Sequence, residues 1–112
     1  MSDDLENYDW LTPWEAVDDG DTGLVEELVR EVSSGHCLFG VSAVALATNS
    51  APDRYDDVLY RVELPNHRYA MVHLTWKSET LPDFPSTTLY RDWEHFVSDG
   101  MKPDHEAYPR DW

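Results

Sequence analysis

The stretch "DDVLYRVELPNHRYAMVHLTW", residues 56–76, decides the fold. Two runs of alternating apolar and polar residues flank the turn-forming "PNH" at 65–67, and a period of two fits strands but not a helix, so the stretch reads as an antiparallel β-hairpin. Pro65 suits a strand end, where no amide is needed for a ladder. Counting by twos sets Val58, Tyr60, Val62 and Leu64 beside Ala70, Val72, Leu74 and Trp76 on a core face. The other face receives Asp57, Leu59, Arg61 and Glu63 with Tyr69, Met71, His73 and Thr75. A histidine and a threonine on that mixed face mark either a binding surface or the half-covered side of an ordinary sheet.

Outward from the hairpin, residues 22–33 place Leu24, Val25, Leu28, Val29 and Val32 on one helical stripe, with Glu26, Glu27, Arg30 and Glu31 opposite. Gly35 is expected to cap that helix, "GHCLFG" at 35–40 to turn the chain, and "VSAVALAT" at 41–48 to form a strand. Downstream, "KSETLPDFPSTT" at 77–88 holds two prolines and reads as an irregular loop. A second helix is expected over 93–99, capped by Asp92, with Trp93, Phe96, Val97 and Met101 as its stripe and with Gly100 and Pro103 ending it. "TPWE" at 12–15 has the form of a capping box and predicts a short helical turn, stopped by "DDGDTG" at 18–23. The expected fold is therefore α+β: a three-stranded, mainly antiparallel sheet of about 41–48, 57–64 and 68–76, packed on one face by both helices. Residues 1–21 form an acidic arm, 22–108 a single domain, and 109–112 a tail.

Composition limits the function classes. At 112 residues the chain has room for one core, and 41% hydrophobic residues suffice to fill it. A net charge of -15 repels phosphate backbones and anionic lipid and attracts cations or basic proteins, so direct nucleic-acid binding is disfavoured. A single cysteine, Cys37, allows no intramolecular disulfide, and it reads as a small buried apolar side chain. "MSDDLENYDW" lacks a basic start and an apolar core, and no apolar run reaches the length of a bilayer span. The expected compartment is the cytoplasm.

At "GHCLFG", "DDVLYRVEL", "YAMVHLTW" and "MKPDHEAY" the chain resembles a group of small uncharacterised bacterial proteins that combine G-H-x-L-[YF]-G, D-D-V-L, V-H-L-T-W and P-D-x-E-Y motifs. Its motif positions here are His36, Leu38, Gly40, Asp56, Asp57, His73, Thr75, Trp76, Pro103, Asp104, Glu106 and Tyr108. Cys37 stands where the group often has proline. The resemblance implies no activity, cofactor or catalytic residue.

Chemistry at the polar clusters has two readings. His36, Asp57 and His73 could converge, with Asp56, into a carboxylate-oriented imidazole pair for acid–base work or metal binding. Alternatively, His36 bonds the turn backbone and the aspartates satisfy free amides at a strand start, which short polar side chains commonly do. The second reading is favoured. "DWEH" at 92–95 and "PDHE" at 103–106 lack the spacing of a metal motif, no serine lies in a nucleophile elbow, and no glycine-rich phosphate loop is present, so neither metal nor cofactor is expected.

By elimination the sequence favours a non-enzymatic, acidic cytoplasmic binding protein for a basic partner. A toxin-neutralising immunity protein is its most concrete form. Trp10 and Trp14, flanked by Asp18, Asp19 and Asp21, are its expected contact residues. Two alternatives stand beside it: a small enzyme or metal-dependent site at His36, Asp57 and His73, and a salt-adapted domain whose acidity is only solvation.

Overall fold

Asp57 pairs with His73, Val58 with Val72 and Tyr60 with Ala70, so the hairpin register is the one that side-chain alternation requires. It lies in a computed structural model that describes residues 10–17, 22–51, 56–81 and 84–107. The elements in chain order are β1 (Trp14–Ala16), α1 (Gly23–Glu31), β2 (Ala43–Asn49), β3 (Asp57–Val62), β4 (Tyr69–His73) and β5 (Ser86–Tyr90). A helical stretch follows, made of α2 (Trp93–Phe96), a π-helical turn (Val97–Met101) and α3 (Lys102–Ala107).

Among the described residues the sheet has five strands, not three, in the order β1-β2-β3-β4-β5, and every neighbouring pair is antiparallel. Both additional strands lie where the sequence predicts something else. "TPWE" forms β1 instead of a helical turn, because pairing with β2 supplies ladder bonds while Trp14 becomes 2% exposed, and tertiary burial outweighs a local capping preference. β5 occupies the end of the expected loop. Its prolines all precede it, and Pro85 sits just outside the paired register of an edge strand, where no amide is required.

The helices lie on opposite faces of the sheet, which corrects the expectation that both pack on one. Leu28 of α1 joins Val58, Tyr60, Val62, Ala70, Val72 and Leu74 in one core, with Leu24, Val25 and Val32 against it. Trp14, Leu46, Leu59, Tyr69, Tyr90, Phe96 and Met101 make the other. An irregularity in the β2/β3 register falls between Ala45 and Ala47, and Ala45 belongs to the first core while Leu46 and Ala47 belong to the second. One extra residue thus sends two successive side chains to the same side.

Gly100 and Pro103 do not end the second helix. The Lys102 amide donates to the Val97 carbonyl, the wider spacing of a π turn, and Pro103 then falls in the first turn of α3, where a missing donor costs nothing. Gly100 is a packing residue: a Cβ there would stand 2.9 Å from the Phe96 ring and 3.0 Å from the Tyr90 hydroxyl. Cys37 is exposed, not buried. Among the described residues no helix is long and apolar enough to cross a membrane.

Candidate functional site

The end of β4 away from the hairpin turn carries a set of linked polar contacts, and those at Thr75 and Trp76 are organised by Glu31. This residue lies three positions after Leu28, on the buried stripe of α1, and is fully buried. Its Oε1 accepts from the Thr75 amide at 2.8 Å and the Thr75 hydroxyl at 3.2 Å, and its Oε2 accepts from the Trp76 amide at 2.6 Å. The Glu79 amide donates to the Glu31 carbonyl at 3.2 Å. A buried carboxylate needs hydrogen-bond donors, and here main-chain amides supply them. Burial, then the hydrogen bond that the protonated group gives to Glu27 one turn earlier, push the Glu31 carboxyl above its ordinary value, against the lowering effect of the two amides. That same Glu31 contact, followed by Arg30, holds Glu27 below its own.

Trp76 is the residue so held. Its φ is 64°, and it is the single non-glycine residue at positive φ among the described residues. Left-handed backbone costs an aromatic residue about 1–2 kcal/mol, and the Glu31 bonds to Thr75 and Trp76 offset that cost. The indole consequently turns outward: Trp76 is 50% exposed, and its Nε1 donates to Asp56 Oδ1 at 2.7 Å. Alternation places Trp76 on the core face, but the strand ends at His73, so the period of two no longer applies to it. Trp76, Lys77, Leu81 and Phe84 line a groove of about 490 Å³ with Asp56 and His73. Leu81 and Phe84 are also exposed.

The three imidazole-cluster candidates do not all meet. Asp57 and His73 do: they are register partners, and His73 Nδ1 donates to Asp57 Oδ1 at 2.7 Å from an exposed ring to a buried carboxylate. His36 belongs elsewhere. Its Nδ1 accepts from the Leu38 amide at 3.0 Å, and its Nε2 lies 2.9 Å from the Pro85 carbonyl and 3.2 Å from Thr87 Oγ1. Thr87 pairs with Val72, one position from the His73–Ser86 pair, so it takes the opposite face by alternation. His36 therefore staples the turn after α1 to the start of β5, with both ring nitrogens engaged. Among the described residues no group of three His, Cys, Asp or Glu side chains is placed to hold a metal ion.

The expected tryptophan anchors are internal. Trp14 packs edge-on against Phe96 at 5.5 Å, and its Nε1 donates to Asp104 Oδ2 at 3.0 Å. Trp10 is half-buried, edge-to-face on Trp93 at 5.3 Å. Trp14 in particular cannot reach a partner from a 2% exposed position. Asp18, Asp19, Asp21 and Tyr108 lie outside the described residues.

Sequence reasoning missed Glu31, Leu81 and Phe84. The expectation that Glu31 lies opposite the apolar stripe is corrected: it stands three positions after Leu28 and seven after Leu24, on the buried side of the helix, where an acid is found only when bonded. The V-H-L-T-W run is thereby accounted for: valine and leucine fill the core, histidine pairs with Asp57, and threonine and tryptophan dock on Glu31. Compared with known proteins, the chain matches no family model, no curated protein and no solved structure.

Proposed function

We propose that this chain is a non-enzymatic, acidic cytoplasmic binding protein that engages a basic partner through the Trp76 groove. The observation that carries the reading is Trp76: half exposed, at positive φ, and fixed through its amide by Glu31 and through its indole by Asp56. A rigid exposed tryptophan loses little conformational freedom on binding, and tryptophan is over-represented among residues that dominate interface energy. Asp56 and Glu79 line the same groove, where Lys77 is the single cation among the described residues, and the surrounding charge of -15 steers a basic surface toward it. A toxin-neutralising immunity protein remains the most concrete form. The catalytic alternative keeps only the Asp57–His73 pair, since His36 is engaged elsewhere.

The test is affinity capture from lysate at low and high salt, with the wild-type chain and Trp76→Ala side by side. A basic protein retained at low salt and lost with Trp76→Ala supports the reading. A catch indifferent to both overturns it.

A further inference from the structure

The opposite end of the sheet carries the opposite charge. Arg61, Arg68 and Arg91 are three of the eight basic residues in the chain, and all three line a pocket of about 680 Å³ around the β3–β4 turn, with Glu63 and His67. Topology sets Arg68 and Arg91 side by side, while Arg61, the register partner of Tyr69, takes the other face of the sheet by alternation. Tyr69 and Tyr90 are partners at the last paired position of β4 and β5, so Arg68, just before Tyr69, and Arg91, just after Tyr90, leave neighbouring strand ends. The Val62 amide donates to the Arg68 carbonyl at 2.8 Å and the Arg68 amide to the Tyr90 carbonyl at 3.1 Å, which fixes those ends together.

Like charges on neighbouring strands repel unless an anion lies between them. Among the described residues neither Arg68 nor Arg91 has a carboxylate within ion-pair distance. Asp92, next in sequence to Arg91, is used to cap α2 through the His95 amide at 2.9 Å. Among the described residues Glu63 is the one carboxylate lining the pocket. An otherwise acidic chain thus holds a small, locally cationic basin.

We propose that this pocket binds the phosphate group of a small molecule. Guanidinium forks pair with oxyanions through two parallel hydrogen bonds, and a tetrahedral phosphate offers oxygens to forks arriving from several directions, whereas a carboxylate offers two in one plane. The global charge selects a small ligand over a polymer, because a polyphosphate backbone would extend into the repulsive field around the basin. The pocket volume lies in the range of small-molecule sites, about 300–1,000 Å³. Nothing in the Trp76 groove contributes, so the two sites stand or fall separately.

Inorganic phosphate titrated into the full-length chain at constant ionic strength, followed by amide NMR shifts, is the test. Saturable shifts confined to residues 61–68 and about Arg91 are expected, with Arg68→Ala/Arg91→Ala weakening apparent affinity about tenfold or more while Lys102→Ala leaves it unchanged. Glycerol phosphate in a parallel arm separates the sources: tighter binding than inorganic phosphate assigns a phosphomonoester, equal binding the free ion, and either supports the site. Malonate binding more tightly than phosphate would overturn the assignment. So would shifts that never saturate or that respond equally to Lys102→Ala. Both arginines are exposed, and a melting curve of the double variant verifies its fold.

Discussion

Glu31 holds Trp76: the carboxylate of the last residue of α1 accepts the Trp76 amide at 2.6 Å, across 45 residues of chain. This bond and its neighbour at Thr75 couple a helix end to the end of β4 and set the direction in which the exposed indole points. Glu31→Ala leaves both amides without their acceptor, at about 1–3 kcal/mol for each. Urea unfolding should show that loss. A midpoint within error of wild type would mean that water replaces the carboxylate without penalty.

The same carboxylate makes stability depend on pH. Its folded value is raised, chiefly by burial, so the native state holds this proton more tightly than the unfolded chain does. The contribution of Glu31 is then fully present below the ordinary glutamate value and is lost as pH rises through the raised one. Glu27, held low, acts in the other sense: its contribution is present above the ordinary value and is lost as pH falls through the lowered one. Glu31→Gln should flatten the decline on the upper side, measured as urea midpoints across the mildly acidic range.

Trp76→Gly separates strain from binding. Glycine adopts positive φ freely, so this variant should be as stable as wild type or more stable by about 1 kcal/mol, while losing the exposed ring. A large loss in melting temperature would show that the indole is a stability element and not a surface anchor.

The two histidines of the expected cluster should part company. His36 is buried and bonds the backbone through both nitrogens, so His36→Ala should cost about 2–4 kcal/mol. His73 is exposed and makes a single pair, so His73→Ala should cost less than about 1 kcal/mol. Zinc should raise the melting temperature of neither wild type nor variant. A zinc-dependent rise abolished by His73→Ala would return the metal reading.

Gly100→Ala tests the packing role of that glycine. Its Cβ would press on the Phe96 ring and the Tyr90 hydroxyl, and overpacking of this kind costs about 1–3 kcal/mol, although alanine is the better helix former. A stabilised variant would mean that Gly100 is a tolerated helix defect.

Legibility followed the range of the forces involved. The hairpin and α1 were readable because period-two and period-3.6 patterns report which side of an element is buried. β1 and β5 were not, because three residues at Trp14–Ala16 and five at Ser86–Tyr90 are too short for a period, and each forms only by pairing with a longer strand. The outward turn of Trp76 depends on Glu31, a contact that no local pattern contains. His36 and Asp57 both make polar contacts, but Asp57 meets His73 across a register while His36 meets Pro85 across 49 residues of chain, and no local pattern tells these partners apart.

The central claim, that Trp76 is a preorganised anchor on an acidic binding face, is tested most directly by surface-plasmon kinetics of the captured basic partner over a salt series. Association with the wild-type chain should slow steeply as salt rises, and Trp76→Ala should speed dissociation about tenfold or more at every salt concentration, with the melting temperature unchanged. Dissociation unaffected by Trp76→Ala, with the partner still bound, would contradict it.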